Sequence, residues 1–151
     1  MKIITLIRLA LCALLITATA HAAPAGKRFG GFAAKQTFTL TIEDRQSFET
    51  QGSETVASFR IPAGIPRFNV GQTVKFTIGR KGELKGPGFS LPLDQDNSDY
   101  NQYSSASTAK NPAQNTALLT KTSAGTTQQI VIYFRDDTTT GTSNTVTYLL
   151  K

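Results

Sequence analysis

The chain has one Cys, one His, one Met and no Trp, and the three singletons (Cys12, His21 and Met1) all lie within its first 22 residues. Beyond Ala22 there is no thiol and no imidazole. That excludes disulfides, His/Cys metal centres, the His₂Cys set of blue-copper carriers, and Ser-His-Asp or Cys-His catalysis. The lack of indole removes the largest aromatic platform for stacking on a sugar ring. Long apolar runs are scarce too. The longest, around Leu9–Ile16, is too short to span about 30 Å of hydrocarbon, so no transmembrane anchor is expected.

The segment containing these singletons has the layout of a removable leader. Lys2 and Arg8 form a basic start, LALCALLI an apolar centre, and Ala20-His21-Ala22 a small-residue cleavage site. Residues 1–22 are therefore expected to be a signal peptide, and the product to be periplasmic or extracellular. Leu11 stands before Cys12 where a lipoprotein signal requires a small residue, which argues against a lipid anchor. Losing the leader removes Lys2 and Arg8 and takes the formal charge from +6 to +4. The remaining charge is uneven, since most of the basic residues lie before Pro87. A domain of this length buries about two-thirds of its unfolded surface and needs no disulfide to be stable.

Residues 23–36 (APAGKRFGGFAAKQ) are rich in Gly and Ala and read as a flexible N-terminal arm. From Thr37 to Lys151 the pattern is alternation of period two. Phe38, Leu40 and Ile42 share one face, as do Ala57, Phe59 and Ile61, and then Val74, Phe76 and Ile78. Phe68 with Val70 gives a shorter run, and so does the stretch around Leu118. Phe89, Leu91 and Leu93 alternate around Pro92, which confines that run to a sheet edge or a strand end. Ile130, Ile132 and Phe134 form another set, and Val146, Tyr148 and Leu150 close the chain. No helical periodicity and no internal repeat intervenes. About eight short strands predict a single all-β domain, an antiparallel β-sandwich of immunoglobulin-like or similar kind, with a closed β-barrel as the alternative.

Two segments are candidates for function, the first of them for two kinds of ligand. Residues 94–115 form the longest stretch without apolar periodicity and read as a loop. Tyr100, Tyr103, Asn97 and Asn101 are its candidate ligand-binding side chains, because Tyr offers contact area at low entropic cost and Asn adapts its hydrogen bonds. Asp94, Asp96 and Asp99 offer carboxylate oxygens of the kind Ca²⁺ takes. The EF-hand pattern nevertheless fails, with Asp99 where Gly is required and Ser105 where the bidentate Glu belongs. Arg80, Lys81 and Lys85 crowd the turn after Ile78 and suit contact with an anion, although such charges also keep an exposed sheet edge soluble.

A carboxylate-only enzyme requires distant acids to converge on a cleft, and no spacing among Glu43, Asp44, Glu49, Glu54 or Glu83 singles out a pair. Nucleic acid is a poor partner for so modest a charge without interleaved aromatic residues. The composition thus favours an exported, non-enzymatic binding or interaction module that needs no cofactor, with a protein or glycan partner and the 94–115 loop as its recognition surface. The alternative is a structural subunit assembled by strand exchange through its N-terminal arm.

Overall fold

The computed structural model describes residues 26–105, 114–121, 127–137 and 140–151. The expected signal peptide lies outside the described residues, as do residues 106–113 of the expected loop. Among the described residues all regular structure is β. None of them forms a helix long and apolar enough to cross a membrane.

The strands are β1 (Arg28–Phe29), β2 (Phe32–Ala33), β3 (Thr37–Gln51), β4 (Glu54–Ala57), β5 (Thr73–Ile78) and β6 (Leu84–Gly86), followed by β7 (Phe89–Leu91), β8 (Leu93–Asp96), β9 (Tyr100–Ser105), β10 (Gln114–Lys121), β11 (Thr127–Asp136) and β12 (Thr142–Leu150). Every pairing is antiparallel. The main sheet runs β7-β6-β5-β3-β12-β11-β10-β9-β8, with β4 added to the far part of β3. Its two end strands, β7 and β8, are separated only by Pro92, so one run of chain supplies both edges. The all-β antiparallel reading therefore holds, and the sheet takes the form of a nearly closed barrel. Pro92 explains how one run serves two neighbours. It cannot donate to a ladder, but its carbonyl accepts from the Ser104 N–H at 3.1 Å.

The second corner is in β3. Its first part pairs β5 (Phe38 opposite Phe76), and its later part pairs β12, with Arg45 opposite Tyr148. Leu150 faces Ile42 while Leu149 faces Asp44, so Glu43 is the extra residue of a β-bulge. A bulge reverses the alternation. Phe38, Leu40 and Ile42 face inward before it, and Arg45, Ser47 and Glu49 lie on the inner side after it, opposite Tyr148, Val146 and Asn144.

The interior is one apolar cluster threaded by aromatic rings. Centroid separations run 6.0 Å from Phe32 to Phe38, 5.6 Å to Phe76, 6.3 Å to Phe89, 5.4 Å to Phe134, 6.2 Å to Tyr148 and 5.1 Å to Phe68. Such contacts add about 0.5–1.5 kcal/mol each beyond area burial.

Two irregular pieces cover this string. The first is the β1–β2 hairpin. Its turn, Gly30-Gly31, has φ of 55° and 85°, the pair of positive angles that a two-residue hairpin turn of the I′ kind requires. Residues 26–36 are thus not the flexible arm expected from composition, because Phe32 is fully buried in the core. Residues 23–25 of that arm lie outside the described residues.

The second is the stretch from Ser58 to Gln72. Alternation predicts strands around Phe59–Ile61 and Phe68–Val70, but the segment is irregular. Ile61, Ile65 and Phe68 turn into the core, whereas Phe59 is 93% exposed. Backbone groups here are satisfied by side chains and turns. Tyr148 Oη donates to the Pro66 carbonyl at 2.9 Å and accepts from the Phe68 N–H at 3.4 Å, and the Ser47 hydroxyl donates to the Ser58 carbonyl. Burial raises the Tyr148 phenol above its ordinary pKa, so it remains protonated and able to donate. Tyr148→Phe is expected to cost about 1–2 kcal/mol, one hydrogen bond plus an unsatisfied carbonyl, as a lowered urea midpoint at unchanged slope.

Candidate functional site

Over its described part, the segment from Asp94 to Asn115 is mostly strand and not a loop. Asp94–Asp96 belong to β8, Tyr100–Ser105 to β9, and Gln114–Asn115 open β10. Polar composition concealed a period-two alternation in which Asn101 and Tyr103 face inward, both fully buried. Tyr100 is half-buried, and Asn97 is exposed in the tight turn, where its N–H donates to the Tyr100 carbonyl at 2.9 Å.

Asn101 is part of a polar lock. Lys121 Nζ reaches Gly30 O at 2.7 Å, Asn101 Oδ1 at 2.7 Å and Asp96 Oδ1 at 2.8 Å, so its three protons have three acceptors. Asn101 Nδ2 donates to Gly30 O at 2.9 Å and to Tyr103 Oη at 3.3 Å. Burial raises the pKa of the Tyr103 phenol. A Cβ at residue 30 would overlap the Asn101 amide, so the turn glycine is also required for this approach. The arrangement fastens the N-terminal hairpin to the barrel.

The candidate calcium carboxylates are likewise engaged. Asp94 Oδ2 accepts from Ser104 Oγ at 3.0 Å and Gln102 Nε2 at 3.3 Å, and Asp96 is paired to Lys121. Asp99 is exposed, and its carbonyl accepts the Lys121 N–H at 2.9 Å. Among the described residues no group of three His, Cys, Asp or Glu side chains is placed to hold a metal ion.

Arg80, Lys81 and Lys85 line one shallow pocket at the β5–β6 turn, together with Lys35 and Glu83. Glu83 supplies an anion from within. Its Oε2 accepts the Lys81 N–H at 2.9 Å, its Oε1 pairs Lys85 Nζ at 3.1 Å, and the carboxylate lies over Gly79, where a Cβ would overlap it. Its carboxyl is held below the usual range by its own backbone N–H first, then by Lys85 and the Lys81 N–H, against a raising effect of burial. A carboxyl whose pKa is lowered by folding contributes stability above its unfolded pKa and loses that contribution as pH falls through the folded value. Glu83→Gln is therefore expected to be less stable than the parent at pH 7. The gap should close as pH drops below about 4, checked by denaturation at a series of pH values.

A different place on the barrel gathers groups that the sequence keeps far apart. Glu49, Asn144 and Asp136 are direct neighbours across β3, β12 and β11. Facing residues in antiparallel strands put their side chains on the same side of the sheet. Gln51 and Thr142 pair in the next inward row, and Gln51 Nε2 donates to Glu49 Oε1 at 3.1 Å. The stretch from Arg60 to Gly64 crosses over these rows and encloses a cleft of about 450 Å³. Its rim thus offers carboxylates, a guanidinium, carboxamides and a hydroxyl, a mixture of donors and acceptors suited to a ligand bearing many hydroxyl groups. Sequence reasoning missed this cleft because it depends on cross-strand register and on the bulge at Glu43. The one available signal was the polar alternation of Ser47, Glu49 and Gln51.

Comparison with known proteins finds no matching family model, no similar curated protein and no similar solved structure.

Proposed function

We propose that the protein is an exported, non-enzymatic binding module that takes a polyhydroxylated ligand, of the glycan class, in the cleft between the 60–64 crossing and the Glu49–Asn144–Asp136 row. Export rests on the leader pattern of residues 1–22. The observation that carries the binding reading is the convergence of acids, amides and Arg60 on one concave site at the end of a rigid barrel. The expected recognition surface thereby moves from residues 94–115 to this cleft, since the buried Asn101 and Tyr103 serve the fold. Assembly by exchange of the N-terminal arm draws no support from a hairpin whose Phe32 lies in its own core and whose Gly30 is bound by Lys121.

Calorimetry against a panel of neutral oligosaccharides tests the reading. A saturable heat with one of them, weakened about tenfold or more by Glu49→Gln or Arg60→Gln, is the expected result, since each change removes a charge-assisted hydrogen bond. Binding indifferent to both changes, or no binding across the panel, would count against it. Release of reducing ends from a bound glycan would overturn the non-enzymatic part.

A further inference from the structure

The bulge at Glu43 also sets the face of a basic residue of β3. It places Arg45 on the inner side of β3, directly opposite Tyr148. Arg67 approaches the same place from the irregular segment, its guanidinium oriented by donation from Nη2 to the Ile61 carbonyl at 2.8 Å. Both line a pocket of about 200 Å³ together with Phe59, Ile61, Phe68 and Asn69. Among the described residues no carboxylate lines this pocket. The ion pairs among the described residues use Lys85, Lys121, Arg135 and Lys151, and none involves Arg45 or Arg67. The acid next in sequence, Asp44, falls on the opposite face, where its oxygens take the Arg45 N–H at 2.8 Å and Gln46 Nε2 at 3.2 Å. Both guanidiniums act on the Tyr148 hydroxyl, lowering its pKa against the larger raising effect of burial, which is consistent with their convergence.

Arg45 is half-buried and Arg67 exposed, and two like charges that share one pocket are best matched by an anion between them. At the β5–β6 turn the chain fills a basic pocket with its own Glu83; here the described residues provide no such group. Phe59 stands beside the pocket almost fully exposed, a flat apolar face of the kind that covers the C–H side of a sugar ring. We propose that Arg45 and Arg67 form an oxyanion site for an acidic sugar, its carboxylate or sulfate held by the two guanidiniums and its ring laid against Phe59. The site is separate from the neutral-glycan cleft and does not depend on it.

The test is a ¹⁵N–¹H NMR titration of the purified protein with sodium glucuronate, sodium sulfate, glucose and sodium chloride at matched ionic strength. The expected result is saturable shifts at Arg45, Phe68 and Asn69 with glucuronate and sulfate but not with glucose or chloride, glucuronate binding more tightly. Arg45→Gln should weaken both roughly tenfold, the loss of one charge-assisted contact, while Arg80→Gln leaves them unchanged. Phe59→Ala should weaken glucuronate alone. Arg67→Gln also removes the bond to Ile61, so Arg45→Gln is the deciding variant. No saturable shift, or affinity indifferent to Arg45→Gln, overturns the site. Equal affinity for sulfate and glucuronate overturns the sugar and keeps the oxyanion. Resonances of Gly64 and Asn144 report the cleft separately, so failure of one site is distinguishable from failure of the other.

Discussion

Phe32→Ala is expected to lower the unfolding free energy by about 3–5 kcal/mol, the usual cost of removing a buried aromatic side chain. The ring is fully buried, sits 6.0 Å from Phe38 and begins the aromatic string that runs through the barrel. Natural domains hold only about 5–15 kcal/mol in total, so the change consumes a large part of the margin. It also distinguishes two views of residues 26–36. A flexible arm would let Phe32 go at nearly no cost, whereas a hairpin that completes the core would not. Urea denaturation followed by two probes, with the midpoint falling and the slope unchanged, is the expected outcome.

Lys121→Met is expected to cost about 2–4 kcal/mol. The side chain is 6% exposed, and its ammonium is matched to Gly30 O, Asn101 Oδ1 and Asp96 Oδ1. Methionine preserves most of the volume but leaves Asn101 Oδ1 buried without this donor, and an orphaned buried acceptor costs its full desolvation. Gly30 O keeps the bond from Asn101 Nδ2, and Asp96, with a side chain 51% exposed, is rehydrated. The loss should therefore centre on Asn101. Two comparisons follow. Asp96→Asn should cost under about 1 kcal/mol because its partner oxygen is largely solvated. The double change Lys121→Met with Asn101→Leu should cost less than the sum of the two singles, since replacing both partners leaves fewer orphaned groups. Denaturation of the four proteins side by side measures this. A neutral Lys121→Met would mean the lock is not formed.

The apolar alternation was the most legible part of the sequence. Leu40 and Ile42, Val74, Phe76 and Ile78, Ile130, Ile132 and Phe134, and Val146, Tyr148 and Leu150 all lie in the interior. Pro92 was correctly placed at a break between strands. Features outside apolar alternation were not legible. β8 and β9 carry their alternation in Asp, Gln, Asn and Tyr, a composition that predicts a loop. The Gly30-Gly31 turn reads as flexibility in the sequence because its flanking strands are only two residues each. The spacing of Phe59 from Ile61 predicts a strand, although neither residue is in one.

The candidate site was hidden for a different reason. Glu49, Asn144 and Asp136 meet only through the registers of β3 with β12 and β12 with β11, and Glu49 joins that inner row only because Glu43 is bulged out. Neither a register nor a bulge is written in the composition of a single strand. The basic turn was legible as a tip, but the role of Glu83 in neutralising it was not.

Recognition at the cleft is tested by following backbone amide shifts while titrating the protein with the oligosaccharide that gives the largest calorimetric heat. A ligand seated in the cleft concentrates the perturbations at Gln51, Ala63, Gly64, Thr142 and Asn144. Perturbations gathered instead along Tyr100–Ser105, with the cleft resonances unmoved, would contradict it.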